Sequence, residues 1–189
     1  VLVSQMEHHS NDLPWRAQAR VEHIGVDDSG ALDEPHLDGL LRRHAGRVRL
    51  VAVTGASNVT GYLPDIHAIA RRVHAAGAQI LVDCAQLAPH RRIDMRGLDD
   101  TGHLDYVTLS AHKMYAPFGT GALIGRRDTF EQGEPEHRGG GHAVRLVERH
   151  EVYLRLGASY PRMMPELTWR SPIFHPNISA SGIVCLGGD

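Results

Sequence analysis

The side chain best suited to covalent chemistry in this sequence is that of Lys113. The chain has 189 residues and 20 Lys and Arg residues, and Lys113 is its sole lysine. It lies within residues 110–121, SAHKMYAPFGTG. A lysine amine can form a Schiff base with a carbonyl compound, whereas an arginine cannot. The alternative is an arginine-rich sequence that retains one lysine by chance, so the neighbouring residues must decide.

Two polar residues before the lysine fit an aldehyde cofactor. Pyridoxal phosphate is consistent with such lysine chemistry, and its ring withdraws electrons only while the pyridine nitrogen stays protonated, which requires a carboxylate partner. Asp83, at the end of a predicted strand, suits that role. Gln86 has an amide that can donate a hydrogen bond to the ring oxygen. The structural alternatives are an ordinary strand-end residue for Asp83 and a surface amide for Gln86.

The remaining needs of such a cofactor are a phosphate site and a flat group against the ring. Ser110 and His112 shortly precede the lysine and can donate hydrogen bonds to a phosphate. An imidazole can stack on the ring, and His8 or His9 is available after the first predicted strand. The alternative for His8 is a structural loop histidine.

Composition excludes several classes of protein. The hydrophobic content is 42%, which is ample for a buried core, and the net charge of −2 gives no general attraction to nucleic acid or anionic membranes. There is no apolar run of membrane-spanning length, and the first residues lack the pattern of a signal peptide, so we expect a cytoplasmic protein. The cysteines, Cys84 and Cys185, and the scattered histidines predict neither a disulfide framework nor a metal site.

Hydrophobic patterning predicts strands that alternate with helices over about 125 residues, which indicates a mostly parallel α/β sheet. Aspartate and proline mark the predicted helix starts, and glycine marks their ends. The predicted strands are 1–5, 21–26, 50–54, 79–83, 104–109 and 121–124, and the predicted helices begin near residues 14, 34 and 66.

Polar residues follow the ends of these strands. Asn58, Asp83, Gln86 and Lys113 all lie just beyond the carboxyl end of a predicted strand. Open α/β sheets bind ligands at this edge, so we expect these side chains to share a site.

Four segments together resemble the class V aminotransferase family, and within it the cysteine desulfurases of the iron–sulfur assembly type. They are MEHHSN at 6–11 followed by Pro14-Trp15, SNVTG at 57–61, VDCAQ at 82–86 and SAHK at 110–113. The resemblance covers residues 1 to about 141. It implies the three-layer large domain of pyridoxal phosphate-dependent transferases, present in part, in a protein that is usually a homodimer.

The resemblance also implies a role for each matching residue. Lys113 would form the internal aldimine and later move protons, His8 would stack on the ring, and Asp83 would pair with the pyridine nitrogen. Gln86 and Asn58 would contact the ring oxygen or the substrate, which is an amino acid. Ser110 and His112 would bind the phosphate.

The sequence also departs from the family pattern. Cys84 and Ala111 stand where members usually have glycine, and we interpret Cys84 as a small buried apolar side chain. The family pattern also includes an upstream phosphate loop and a C-terminal small domain, which carries a substrate-binding arginine and a nucleophilic cysteine. We do not recognise either of them in this sequence. Desulfuration, transamination, epimerisation and elimination share the residues present here, so the reaction stays open.

A change in character near Gly139–Gly141 predicts a domain boundary, with a partial large domain at 1–141 and a short β-rich segment at 142–189. In that segment, His175-Pro176-Asn177 followed by Cys185 resembles the core of ubiquitin-conjugating enzymes. There Cys185 would carry the thioester, Asn177 would stabilise an oxyanion and a ubiquitin-like protein would be the partner. A chance match or a structural cysteine is the alternative.

Two functions therefore follow from the sequence. The first is a pyridoxal phosphate-dependent enzyme that acts on an amino acid through Lys113, and the alternative is a conjugating or carrier module that acts through Cys185. The first explains most of the chain and its sole lysine, and we favour it.

Overall fold

The computed structural model describes residues 1–116 and 120–131, together with the backbone of 146–148, 151–153 and 182–187. The strands are, in chain order, β1 (Leu2–Ser4), β2 (Glu22–Ile24), β3 (Leu50–Thr54), β4 (Gln79–Asp83), β5 (Tyr106–Ser110), β6 (Gly121–Arg126), β7 (Leu146–Glu148), β8 (Glu151–Tyr153) and β9 (Gly182–Gly187). The helices are α1 (Leu13–Gln18), α2 (Glu34–Arg43), α3 (Ile66–Ala75) and α4 (Arg127–Glu131), and short 3-10 turns cover His9–Asn11 and Ala111–Met114.

Seven of these strands form one sheet in the order β2-β1-β3-β4-β5-β6-β9. The first five in the sequence pair in parallel, and β6 is antiparallel to β5. Strand β9 pairs antiparallel with β6, and β7 and β8 form a separate antiparallel pair. The predicted α/β class with a mostly parallel sheet is confirmed.

Both faces of the central strands are covered. Consecutive residues of a strand point to opposite faces, yet Val51 and Ala52 of β3 are both fully buried, as are Ile80 and Val82 of β4 with Leu81 between them at 6% exposure. Each buried aliphatic side chain contributes about 1.5–3 kcal/mol through the hydrophobic effect. Because covered parallel strands are hydrophobic on both faces, the central strands read as continuous apolar runs.

Helices α2 and α3 form where capping and apolar spacing coincide. Asp33 accepts a hydrogen bond from the His36 amide at 2.8 Å, and Asp65 accepts one from the Ala68 amide at 2.9 Å, so each aspartate caps a helix as predicted for α2. The buried face of α3 is Ile66, Ile69, Ala70 and Val73, and that of α2 is Leu37, Leu40 and Leu41. Among the described residues, no helix has the length and apolar character that a membrane span requires.

The start of β5 differs from the prediction. The sequence predicts a strand from Leu104, but β5 begins at Tyr106. The Leu104 amide instead donates to the Met95 carbonyl at 2.9 Å, and the Asp105 carboxylate receives the Ile80 amide at 2.9 Å. The side chain of Asp105 thus occupies a position on β4 that a backbone carbonyl would otherwise fill.

Asp105 also joins two histidines that are distant in the sequence. Nε2 of His74 lies 2.8 Å from Oδ2 of Asp105, and Nε2 of His103 lies 3.5 Å from Oδ1. Nδ1 of His74 donates to the Thr101 carbonyl at 2.6 Å, and Nδ1 of His103 donates to the Asp100 carbonyl at 2.7 Å. Both rings therefore have a fixed orientation toward a carboxylate that is only 2% exposed.

The three side chains have metal-ligand identities, but the rings stack with centroids 4.1 Å apart and an interplanar angle of 20°. A cation bound by both imidazoles would lie in the plane of each ring. Two stacked rings at this spacing cannot meet that condition unless one rotates and loses its carbonyl contact. The arrangement therefore fits a hydrogen-bonded cluster that ties α3 to the start of β5.

We expect Asp105→Asn to lower the free energy of unfolding by about 2–3 kcal/mol, the cost of losing buried hydrogen bonds to a charged group. An amide supplies a single acceptor oxygen, so one of the groups that face the carboxylate would lose its bond. Urea unfolding followed by circular dichroism measures the change. The control is Asp28→Asn in an exposed turn, which we expect to change stability by less than about 0.5 kcal/mol. Equal effects of the two substitutions would contradict the role of Asp105.

Candidate active site

The carboxyl ends of β3, β4 and β5 lie side by side. Thr54, the last residue of β3, pairs with Asp83, the last residue of β4, and Asp83 pairs with Thr108 of β5. A cavity of about 310 Å³ opens at this edge. It lies where open α/β sheets bind ligands, and its volume is at the lower end of the range for small-molecule sites, roughly 300–1,000 Å³.

The structure brings all the site residues predicted for the cofactor to this one cavity. Its lining comprises His8, Asn58, Asp83, Gln86, Ser110, His112 and Lys113, together with Ser10, Thr54, Ala56 and Ala85. Residues that are distant in the sequence thus line one cavity, while the site and their individual roles stay predictions. Of the two candidate stacking histidines, His8 is in the lining and His9 is not.

Asp83 is the buried acidic group of the cavity wall. Its side chain is held by the Ala85 amide, which donates to Oδ1 at 2.9 Å, and by the Thr108 hydroxyl at 3.4 Å from the same oxygen. Asp83 is 9% exposed, so little of it is available to water. A carboxylate in this environment favours a cationic or hydrogen-bond-donating partner inside the cavity.

Lys113 lies in the 3-10 turn that follows β5. The turn ends at Tyr115, whose φ of 63° places it in the left-handed region, and the Ala116 amide returns to the Ala111 carbonyl at 3.1 Å. The Ala111 amide donates to the Thr120 carbonyl at 3.0 Å. These contacts fix the backbone of the turn, while the lysine side chain itself is exposed and can reach a ligand.

His8 starts the other short turn beside the cavity. Its Nδ1 accepts a hydrogen bond from the Ser10 amide at 3.2 Å and lies 2.8 Å from the Ser10 hydroxyl. The amide can only donate, so Nδ1 carries no proton and the ring orientation is set by its own turn. The imidazole is exposed at the cavity edge, as a ring that stacks on a ligand must be.

The sequence analysis missed Glu7, which lies next to His8. The pKa of the Glu7 carboxyl is raised to about 7, chiefly by burial and to a smaller extent by the negative charge of Asp83, against hydrogen bonds from Ser4, Asn11 and the Thr54 amide that lower it. The only sequence signal was its position inside the motif at 6–11. A charged residue between a buried strand and a polar loop looks solvent-exposed until the tertiary contacts are known.

Cys84 is fully buried directly after Asp83. Burial, with a smaller contribution from the Asp83 charge, raises the pKa of its thiol to about 12. The thiolate is the nucleophilic form of cysteine, so this thiol is unreactive at neutral pH. The interpretation of Cys84 as a small buried side chain is confirmed.

We expect Cys84 to resist alkylation by iodoacetamide at pH 8 in the native protein and to react after unfolding in urea, because both access and thiolate formation require its exposure. Peptide mass spectrometry measures the labelled fraction of Cys84 separately from that of Cys185. Rapid native labelling of Cys84 would contradict its burial, and a free cysteine peptide added to the same reaction serves as the control for reagent activity.

Comparisons with known proteins agree with this arrangement of fold and site. The family model for class V aminotransferases matches residues 1–158. The chain belongs to the class V aminotransferase family.

Curated relatives and solved structures show that, within this family, the chain is similar to cysteine desulfurases. The chain is 38% identical over 192 residues to a cysteine desulfurase of Dickeya dadantii, an alignment that covers 99% of the chain and 42% of that protein. An Escherichia coli cysteine desulfurase structure has a TM-score of 0.63 and 35% identity, with 78% of this chain and 36% of that chain covered. The apo cysteine desulfurase of Thermococcus onnurineus has the same TM-score at 31% identity, with the same coverage. The chain thus spans about two fifths of the length of the curated relatives.

The same comparisons bear on the tail. The match to the Dickeya desulfurase includes nearly all residues after 141, and nothing in the comparisons supports a segment like a ubiquitin-conjugating enzyme. Cys185 lies in β9, opposite Leu123 of β6, and Asn177 lies outside the described residues. The domain boundary near residue 141 stays a prediction.

Proposed function

We propose that this protein is part of a pyridoxal phosphate-dependent enzyme of the cysteine desulfurase type, which acts on an amino acid. The observation that carries the proposal is the convergence of Lys113, Asp83 and His8 on one cavity at the carboxyl ends of parallel strands. The class V aminotransferases and their cysteine desulfurase members are pyridoxal phosphate enzymes, and this chain is one of the family.

The residues present fit the cofactor. A buried carboxylate held by a backbone amide, a single exposed lysine amine and an exposed imidazole occupy the same cavity wall. These three groups suit an aldehyde-bearing, protonated aromatic ring. When bound, pyridoxal phosphate supplies an electron sink for bond cleavage at the substrate carbon next to the amino group.

The roles of the protein groups follow from their chemistry. Lys113 would hold the cofactor through its amine, and the same amine could move a proton at the substrate carbon next to the amino group. Asp83 keeps the ring nitrogen protonated because its buried charge favours a cationic partner. His8 would stack on the ring of the cofactor.

The polar residues around these three complete the site. Gln86 and Asn58 hydrogen-bond the ring oxygen or the substrate, and Ser110 and His112 donate to the phosphate. Cysteine is the substrate named by the relatives, and we propose a thiol-bearing amino acid for this protein on that similarity. A homodimer in the cytoplasm belongs to the same proposal.

We expect incubation with pyridoxal phosphate, followed by borohydride reduction, to attach the cofactor to Lys113. The reason is that no other side chain of the sequence has a primary amine, so the reaction can compete only with the chain's amino terminus. Peptide mass spectrometry locates the attachment. Lys113→Arg keeps the positive charge and removes the amine, so it should abolish attachment within 110–121. Attachment to the amino terminus alone in the wild-type protein would overturn the proposal.

We expect Asp83→Asn to weaken pyridoxal phosphate binding by about 10- to 100-fold, the loss that corresponds to one hydrogen bond between charged groups. The amide preserves the shape of the side chain but not its charge. Equilibrium dialysis measures the dissociation constant, and Asp28→Asn on the distant turn is the control. Unchanged affinity in Asp83→Asn would show that this carboxylate does not face the ring nitrogen.

A further inference from the structure

The Glu7 carboxylate connects three parts of the protein at the edge of the cavity. Its Oε1 accepts hydrogen bonds from the Ser4 hydroxyl at the end of β1 and from the Thr54 amide at the end of β3, the latter at 2.7 Å. Its Oε2 accepts a hydrogen bond from Nδ2 of Asn11 in the His9–Asn11 turn, also at 2.7 Å. The three donors come from three separate elements, so a single side chain fixes their mutual positions.

The contact continues into the first helix. Asn11 is 5% exposed, and its Oδ1 accepts a hydrogen bond from the indole nitrogen of Trp15 in α1 at 3.2 Å. His8, which lines the cavity, lies between Glu7 and this turn. The hydrogen bonds of its ring go to Ser10, within the same turn. Its place at the cavity is therefore set by the backbone on either side of it, which Glu7 and Asn11 hold.

We propose that Glu7 is a positioning residue that holds His8 against the ring of the bound cofactor and joins this segment to the end of β3. The inference rests on the proposed function for the identity of the ring. Glu7 itself is not in the cavity lining, so it acts through His8 and not on the ligand.

The donor pattern requires an oxygen at both ends of this carboxyl group. Both oxygens of Glu7 accept, whereas a glutamine of the same shape would present an NH₂ group to either the Asn11 amide nitrogen or the Thr54 amide. Rotating the Asn11 amide to relieve that clash would lose its bond to Trp15. Glu7→Gln is thus a small change in volume that breaks the connection between β3 and the turn.

Opposing effects act on the ionisation of Glu7. Burial and the Asp83 charge from β4 oppose ionisation, and the three hydrogen bonds favour it, so the pKa of about 7 places the change of state near neutral pH. Ser4, Asn11 and Thr54 are uncharged. The other titratable groups of the segment are His8, His9 and Asp12, and Asp12 pairs with His23 of β2 at 3.1 Å. Because the folded pKa exceeds the usual value of 4.5, protonated Glu7 favours folding below pH 7, and that contribution declines as pH rises from 4.5 to 7.

The test has one readout that needs no cofactor. The indole N–H resonance of Trp15, assigned with Trp15→Phe, should shift between pH 5 and 9 with a midpoint near 7, because Asn11 connects the indole to Glu7. In Glu7→Gln that transition should disappear. A transition that persists unchanged in Glu7→Gln would assign it to the histidines and overturn the coupling of Glu7 to this segment.

The second readout is pyridoxal phosphate affinity at pH 8, measured by equilibrium dialysis. Glu7→Gln should weaken binding about tenfold, while borohydride attachment to Lys113 should still occur at saturating cofactor. The matched control is Glu22→Gln on β2, where Glu22 accepts from His44 at 3.0 Å outside the cavity lining, and it should leave the affinity unchanged. Equal affinity of Glu7→Gln and wild type would overturn the proposal.

Two further arms keep the outcomes separate. If Glu7→Gln does not fold, Ser4→Ala provides a second variant, because it removes one donor to the same carboxylate. It should weaken pyridoxal phosphate binding relative to the wild type, but by less than the effect expected for Glu7→Gln. Unchanged binding in a folded Ser4→Ala protein would count against the proposal. Failure of Lys113 to retain the cofactor in the wild type would defeat the proposed function, whereas the Trp15 resonance would still report on Glu7.

Discussion

Strands β3, β4 and β5 pair in parallel, and their register fixes which polar residues can meet. Thr54, Asp83 and Thr108 lie across from one another in neighbouring strands, so the loops that follow these strands emerge at one edge. The buried runs of β3 and β4 make this register costly to change, because a shift by one residue would force the side chains on both covered faces to repack. The cavity, the lysine turn and the Glu7 contact all depend on this alignment.

Burial gives neighbouring groups at this edge different chemistry. Burial, with a smaller contribution from the Asp83 charge, raises the pKa of the Cys84 thiol to about 12 and makes it inert, whereas the Lys113 side chain is exposed. Burial raises the pKa of Glu7 to about 7, although hydrogen bonds to both of its oxygens oppose that shift. The Lys113 amine is thus accessible, whereas Asp83, Cys84 and Glu7 are largely protected from water.

The resemblance to class V aminotransferases is supported by far more of the chain than the resemblance to ubiquitin-conjugating enzymes. Residues 1–158 match the family model, and the sheet, the turns and the cavity lining agree with the motifs that suggested the family. The His175-Pro176-Asn177 motif is a short local pattern, and Cys185 lies in a strand that extends the same sheet through β6. Three residues in the right order are weak evidence when the alignment to one family continues across them.

The sequence by itself determined the elements and most of the site. Aspartate caps, continuous apolar runs and the sole lysine located α2, α3, the central strands and seven cavity residues, because each depends on local composition or on the common edge of a parallel sheet. Only the tertiary structure decided the role of Asp105 beside two distant histidines, the antiparallel placement of β6 and the burial of Glu7. These depend on contacts between residues far apart in the chain, which periodicity cannot encode.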